Sequence, residues 1–439
     1  MKALIIAAGR GKRLKELTKD KPKALINLLG LSLIERIILA AKKAGINEFF
    51  IVVGYLGEKI KAKLGNGEKY AVKIEYIEND EWTKGNGVSV LKAKEFLKEN
   101  FILLMSDHIF EAEVLKKLKE VKLEDYGCVL CVDRNPKSYI DLEDATKVKV
   151  EKDKIIAIGK DLKDYNAIDC GIFLCSPLIF EALEESIKAG DESLSGGVKI
   201  LAKREKALAF DIGDSFWIDL DTKESCRKAE ELLIKKLIKP TDGPVARLIN
   251  RPISTRLSKL LVNINVKPNF ITLISFFLAV FSAFLFSLGN YLSTALGGIL
   301  AQIASIIDGC DGEIARLKFQ ESSYGAWLDS CLDRYADALI IFGMSYGYWL
   351  LNADARVWFF CFAAMIGSFM NSYTADKYDT IFKTTIKPKK WLRLGRDVRM
   401  FLIMLGSILN QILLTLFVLG VITNLESIRR LIVLRKEIS

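Results

Sequence analysis

Four aspartates stand inside a long apolar part of this chain, and their spacing restricts the folds open to it. Asp308 and Asp311 are three residues apart and Asp329 and Asp333 four apart, with largely apolar runs before them (Leu300 to Ile307) and after them (Ala338 to Gly343). On helices, those offsets set each pair on one face. The flanking runs make both helices candidates for crossing a membrane, where a charge is costly and marks a functional site by default. Four converging carboxylates suit a hard divalent cation, Mg2+ or Mn2+, which takes oxygen ligands and can share them with phosphate. Metal-dependent chemistry on a pyrophosphate is the direct reading. A salt-bridged polar seam with Arg316 and Arg334 is the bland one.

Read out in full, Asp308-x2-Asp311-Gly312-x2-Ala315-Arg316-x8-Gly325-x3-Asp329-x3-Asp333 resembles the signature of the CDP-alcohol phosphotransferases. That resemblance implies a membrane enzyme that moves a substituted phosphoryl group from a CDP-alcohol to a second alcohol. It implies Asp308, Asp311, Asp329 and Asp333 as metal ligands and Asp333 as the base for the acceptor hydroxyl. Gly312, Ala315, Arg316 and Gly325 would surround the cytidine diphosphate. Lys267-Pro268-Asn269-Phe270-Ile271-Thr272 is similar to the start of that family's first span, and Arg247-x2-Asn250-Arg251-x2-Ser254 to its juxtamembrane element.

Composition changes along the chain. Its 439 residues exceed one ordinary domain, and the first 240 are rich in Lys and Glu whereas the rest is largely apolar. Three parts are expected: a soluble domain over 1–235, a basic juxtamembrane helix or linker over 236–268, and a transmembrane domain over 269–439. The net charge of +10 carries no aromatic-basic module, so nucleic acid is not an expected partner; cations flanking apolar segments point to the lipid bilayer instead. The eight cysteines fall in expected strands and membrane helices and read as free thiols, including the Cys128-x2-Cys131 pair. The apolar run Ala3 to Ala8 is too short for a signal peptide, so the soluble half is expected to stay cytoplasmic. Abundant Lys and Glu, with three Gln and one His, are compatible with a thermophile.

The soluble part opens on a buried-strand pattern, Ala3 to Ala8, followed by Gly9, Gly11, Arg13 and the run Lys21-Pro22-Lys23. Glycines let backbone N–H groups approach phosphate, and Arg13 and Lys23 supply charge. From Ile5 onward, this resembles the signature of the sugar-phosphate nucleotidyltransferases. The resemblance implies that Ala8, Gly9, Gly11 and Lys23 hold a nucleoside triphosphate, with Lys23 and Arg13 catalytic. Alternating strand and helix patterns imply a Rossmann-like α/β fold with a mainly parallel sheet and ligands at the strands' carboxyl ends. Asp107 stands at such an end, and the resemblance makes it a magnesium ligand, with Asp219 of Trp217-Ile218-Asp219 as the second. His108 reads as a neighbour that positions the loop. Gly85-Asn86-Gly87-Val88-Ser89 resembles the base-binding loop of choline-phosphate cytidylyltransferase-like members, through Asn86 and Ser89, though a helix N-cap explains Ser89 equally. Asn135 to Asp144 and Lys160 to Asp169 stand as candidate walls of the acceptor pocket.

In the membrane part, apolar runs place spans near Phe270–Leu288, Leu292–Leu317, Tyr324–Leu350, Val357–Ala375, Val398–Leu409 and Gln411–Leu425. Met400 to Thr423 also reads as one run, broken only by Asn410-Gln411, which would leave five. Six spans gather Lys318 to Glu321, the basic stretch Lys377 to Arg399 and the C-terminus on one side, with both termini cytoplasmic. Arg396, Arg399 and Lys377 then stand at the mouth of the aspartate cluster, either for an acceptor phosphate or as plain positive-inside flanks. The pairing of the two halves resembles the family of bifunctional inositol-1-phosphate cytidylyltransferases and di-myo-inositol phosphate phosphate synthases. That implies CTP, inositol 1-phosphate and CDP-inositol as substrates, a homodimer, and a product leading to a compatible solute. The rival is a phospholipid synthase with a different or regulatory nucleotide-binding front half.

Overall fold

A computed structural model describes residues 1–439 apart from 12, 15–17, 240–241, 265, 382–393 and 439. It divides into two compact units, Met1–Leu232 and Leu233–Ser439. Of the basic stretch Lys377 to Arg399, residues 382–393 lie outside the described residues, as does Pro240 of the linker.

The first unit runs β1 (Lys2–Ala7), β2 (Asn27–Leu28), β3 (Leu31–Ser32), α1 (Leu33–Lys43), β4 (Glu48–Val53), α2 (Gly57–Leu64), β5 (Lys73–Glu78), α3 (Asn86–Leu91), β6 (Phe101–Met105), β7 (His108–Phe110) and α4 (Ala112–Glu120). It continues with β8 (Cys128–Asp133), β9 (Lys147–Glu151), β10 (Lys154–Gly159), β11 (Ala167–Cys175), α5 (Leu178–Lys188), α6 (Leu194–Lys203), β12 (Ala207–Asp211), β13 (Trp217–Asp219) and α7 (Lys223–Lys235). Nine strands form one sheet in the order β5-β4-β1-β6-β11-β8-β12-β10-β9. β1 lies between β4 and β6 with Leu4 level with Phe50 and Leu103, so its unbroken apolar run is buried on both faces. α1 starts on a capping box of Ser32 and Glu35.

The expected mainly parallel sheet is a mixed one. β5, β4, β1 and β6 are parallel, as are β8 and β12. β11 instead runs against β6 and β8, and β10 against β9 and β12. The reason lies in the connections: a parallel neighbour needs a long crossover, usually a helix, and no helix lies between β8 and β11 among the described residues. β9 and β10 are joined through Lys152 and Asp153, both at positive φ (46° and 64°), the backbone of a tight hairpin turn.

The second unit continues, after a π-helical turn at Ala246–Asn250, with α8 (Arg251–Leu261), α9 (Pro268–Ser287), α10 (Tyr291–Leu317), α11 (Ser323–Asn352), α12 (Arg356–Ile381), α13 (Arg396–Ile408) and α14 (Ile412–Ile438). Pro252 does not interrupt the linker: the helical backbone runs on through it from the π-helical turn into α8. Arg251 is likewise no surface cation: it pairs with Asp242 and Glu313. Leu248, Ile253, Leu260 and Ile264 remain exposed along this segment.

Three of the described helices, at Pro268–Ser287, Tyr291–Leu317 and Ile412–Val433, are long and apolar enough to cross a membrane. The chain does turn between α13 and α14, with Asn410 in the left-handed region at φ 54°. Contacts link the start of α9 to the end of α10 (Thr272 to Asp311), the start of α13 to α12 (Arg399 to Ser368) and the end of α14 to the end of α12 (Arg430 to Asn371). Successive helices therefore alternate in direction, and both aspartate pairs lie at one end of the bundle.

Candidate functional site

Because β1 and β6 are parallel neighbours, the loops that leave them open at one edge of the sheet. From β1 the chain passes through Ala8, Gly9 and Gly11 to Lys23; from β6 it passes to Asp107. Lys23 is 6% exposed, and its Nζ donates to Asp107 Oδ2 at 2.6 Å and to Asp221 Oδ1, with Asp219 Oδ1 3.9 Å away. Gly11 has φ +69°, and a Cβ there would lie 2.8 Å from Lys23 Cβ, so glycine is what lets the lysine stem pass. β7 pairs with β13 so that Asp219 stands opposite His108. The His108 ring stacks on Trp217 with centroids 6.0 Å apart, and its Nδ1 lies 2.8 Å from Asp107 Oδ1. Arg13 Nη2 reaches Asp221 Oδ2 at 2.6 Å, while Nη1 bonds Asp144.

These neighbours pull the carboxyls apart. Burial alone would raise Asp107, but Lys23 and His108 outweigh it and hold the group well below the usual carboxylate range. Burial and the adjacent Asp107 push Asp219 up to about 7 against the pull of His108 and Lys23. His108 rises to about 9, because Asp219 and Asp107 outweigh the burial that would lower it. Burial lifts Asp169 to about 6.

A cavity of about 260 Å³ opens on this edge, lined among others by Arg13, Asn86, Asp107, Tyr139, Asp169 and Asp219. Of the two stretches that stood as candidate walls, Asn135 to Asp144 and Lys160 to Asp169, residues Tyr139, Ile140, Asp141, Asp144, Lys160 and Asp169 line it. Ser89 does not: it is 5% exposed and bonded to Asn79 Nδ2 at 2.9 Å, since the helix that Asn86 begins turns Ser89 inward. Asn86 lines the cavity while its Oδ1 accepts from the Leu194 N–H at 2.8 Å. Ala8 is buried, and Gly9 has open space where a Cβ would stand.

In the helical unit, α10 carries Asp308 and Asp311 and α11 carries Asp329 and Asp333. Asp308, Asp311 and Asp329 bring carboxylate oxygens within 4.8 Å of one another. Two hydroxyls of α9 support them: Ser275 Oγ donates to Asp308 Oδ1 at 3.0 Å and Thr272 Oγ1 to Asp311 Oδ2 at 2.5 Å. Asp333 pairs with Arg396, whose Nη1 also lies 3.1 Å from Asp308 Oδ2. Arg316 folds back over Gly312, its Nη1 3.2 Å from where a Cβ would stand, and its Nε is buried without a partner. Ala315 is buried; Gly325 lies in the first turn of α11, where its N–H donates to the capping Ser322 Oγ. Of the other two cations at this mouth, Arg399 is buried against Ser368 and Asp337, and Lys377 lies over the Tyr373 ring.

Both clusters fit a divalent cation by their own chemistry. Asp219 Oδ1 and Asp329 Oδ1 are buried without a hydrogen-bond partner, each among further carboxylate oxygens, and oxygen donors are what Mg2+ takes. Asp107 with Asp219 could hold one ion, and Asp308, Asp311 and Asp329 another.

Several site residues escaped the sequence reading. Asp221 binds both Lys23 and Arg13, the very cations expected to meet phosphate; Asp144, expected only as pocket wall, also takes Arg13, and Thr272 stood only as the end of the run that resembles a first span. Glu313, fully buried, takes Arg251 Nη1, Ser254 Oγ and Ser258 Oγ, each at 2.7 Å. The spacing of 251, 254 and 258 on one helical face was the available signal.

Comparison with known proteins agrees with this two-part layout. Residues 2–236 match the nucleotidyl transferase family and residues 265–425 the CDP-alcohol phosphatidyltransferase family. A bifunctional IPC transferase and DIPP synthase of Aquifex aeolicus is 40% identical over 97% of this chain and 96% of its own. Another, from Rubrobacter xylanophilus, is 36% identical over 99% of this chain and 96% of its own. A solved inositol-1-phosphate CTP transferase from T. maritima, 29% identical, covers 53% of this chain and 94% of its own with a TM-score of 0.47.

Proposed function

Because the chain belongs to the family of bifunctional IPC transferases and DIPP synthases, we propose that its two units catalyse consecutive reactions on inositol 1-phosphate. The chain is an enzyme, a nucleotidyl transferase joined to a CDP-alcohol phosphotransferase. In the first reaction, a phosphate oxygen of inositol 1-phosphate attacks the α-phosphorus of CTP, giving CDP-inositol and pyrophosphate. In the second, a hydroxyl of another inositol 1-phosphate attacks the inositol-bearing phosphorus of CDP-inositol, giving di-myo-inositol phosphate phosphate and CMP. The observation that carries the reading is an acidic cluster fit for a divalent cation in each unit.

In the soluble unit, Lys23 and Arg13 neutralise the triphosphate, exchanging carboxylates for phosphate oxygens, and Asp107 and Asp219 would hold Mg2+. Asn86 is placed to meet the base at the cavity wall. In the helical unit, Asp308, Asp311 and Asp329, with Asp333 one turn along α11, would hold Mg2+, and Arg316 balances diphosphate charge over the space Gly312 leaves. Asp333 takes the proton of the acceptor hydroxyl. Metal bound at each site would supply charge stabilisation to the attacking and leaving oxygens.

The functional division follows 1–235, 236–268 and 269–439. The alternating α9–α14 helices support six spans with both termini cytoplasmic, the basic segment around α8 lying on the bilayer surface through Leu248 and Leu260. A homodimer is the proposed assembly. The deciding experiment gives the purified protein CTP, labelled inositol 1-phosphate and Mg2+. A water-soluble labelled phosphodiester with CMP is expected; a label appearing only in lipid would overturn the reading in favour of a phospholipid synthase.

A further inference from the structure

One helical turn beyond Asp333, on the same face of α11, stands Asp337, which is 1% exposed. A carboxylate so buried requires donors, and two neighbouring helices supply them. Arg396 Nε donates to its Oδ1 at 3.2 Å and Ser368 Oγ to its Oδ2 at 3.0 Å, while Arg399 Nη2 lies 3.2 Å from Oδ2. Arg399 is fixed in turn by the Ser368 carbonyl oxygen at 2.8 Å. Asp337 thus grips Arg396 by the Nε edge of its guanidinium and leaves the far end free to face the aspartate cluster.

That far end is charge-matched but poorly bonded. Nη1 faces Asp308 and Asp333, yet is buried with no partner in hydrogen-bond geometry. A divalent cation at the cluster would compete with Arg396 for Asp308, which belongs to the group of oxygens that could hold an ion; Asp333 and Asp337 lie outside that group. A guanidinium released from Asp308 but retained at Nε by Asp337 turns its far N–H groups to the mouth of the cluster, a match for phosphate oxygens.

We propose that Asp337 is a positioning residue that sets acceptor specificity: it holds Arg396 at the mouth of the cluster so that the guanidinium fork takes the phosphate already carried by the acceptor. This rests on the reading of the helical unit as a phosphotransferase whose acceptor is a phosphorylated polyol.

The test uses the full-length protein, with CDP-inositol and inositol 1-phosphate supplied, and, in a parallel assay given CTP and inositol 1-phosphate, pyrophosphate release by the soluble unit as the measure of intact protein. Asp337→Asn keeps the size of the side chain and removes its charge. It should raise the KM for inositol 1-phosphate about tenfold, the loss expected from weakening one charge-assisted contact. Inhibition by inorganic phosphate should weaken by the same factor. The KM for CDP-inositol and kcat should stay within about twofold, and Asp337→Glu should recover part of the loss. A fall in kcat at unchanged KM, or an equal rise in both KM values, overturns the proposal. Should Asp337→Asn not yield folded protein, Arg396→Lys, which keeps the charge but loses the Nε edge, must show the same selective rise in KM; an unchanged acceptor KM there overturns it. Failure of the unaltered protein to form any phosphodiester would instead overturn the phosphotransferase reading itself.

Discussion

Asp107 follows β6 of the nine-stranded sheet and Asp219 ends β13 of a separate two-stranded one, whereas Asp308, Asp311 and Asp329 come from two consecutive helices, and the clusters balance their charge differently. In the soluble unit, one buried lysine lies among Asp107, Asp219 and Asp221, with Arg13 and His108 alongside. In the helices, Arg396 faces Asp308, Asp333 and Asp337, with Arg334 3.8 Å from Asp333 and Arg399 3.2 Å from Asp337, and Asp329 keeps one oxygen without a partner. The difference teaches where the cost of an empty site falls. A soluble site can be pre-neutralised by cations that later serve phosphate. In the helical site the arginines gather on Asp308, Asp333 and Asp337, so Asp311 and Asp329, which show no ion pair among the described residues, depend more on the ion that arrives.

The strongest attack on that comparison is Asp333→Asn. Phosphodiester formation should fall by about 10³-fold or more, while CDP-inositol accumulates, as followed by phosphorus NMR. Loss of both reactions would show that the two clusters do not work separately. Next comes Asp107→Ala, expected to cut pyrophosphate release about 100-fold or more while supplied CDP-inositol is still converted. A smaller effect sharpens the charge argument: Lys23→Ala removes the one cation shared by Asp107, Asp219 and Asp221 and leaves only Arg13 and His108 beside them, a change costing up to about 3 kcal/mol of stability in denaturant titrations, partly recovered by Mg2+. Full stability in metal-free buffer would show that Lys23 does not balance the site.

The mildest test concerns pH. His108 binds its proton more tightly folded than unfolded, so the stability it contributes is complete below about pH 6.5 and is lost as the pH rises through about 9. Metal-free protein should therefore melt at lower temperature as pH climbs across that window, and His108→Gln should flatten the slope. A slope that survives the substitution would assign the titration elsewhere.

Legibility differed between the two regions for the same geometric reason. Asp308 to Asp333 could be read directly because helical offsets of three and four residues fix which side chains share a face. Helix limits followed in the same way: the expected break at Asn410-Gln411 coincides with the left-handed Asn410. The sheet was harder. Lys23, Asp107 and Asp219 were each visible as strand-end or loop residues, but Asp221 and Asp144 showed no sign that they would take up Arg13. Ser89 looked like a cavity residue until the direction of α3 turned it toward Asn79.

Local periodicity and the two signatures, then, were enough for the α/β-then-helical order and for the aspartates that the fold brings together, Asp107 with Asp219 and Asp308 with Asp311 and Asp329. Helical spacing and strand-end position depend only on nearby residues. What the tertiary structure decided was the reversed β11 and every partner drawn from a distant segment: Asp221 on Lys23, Thr272 on Asp311, Arg396 on Asp308, Asp333 and Asp337. A sequence states which charges a chain carries, but the partner of a buried charge is set by which element packs beside it. For the aspartate cluster that element is α13, whose Arg396 the offsets alone could not assign to Asp337.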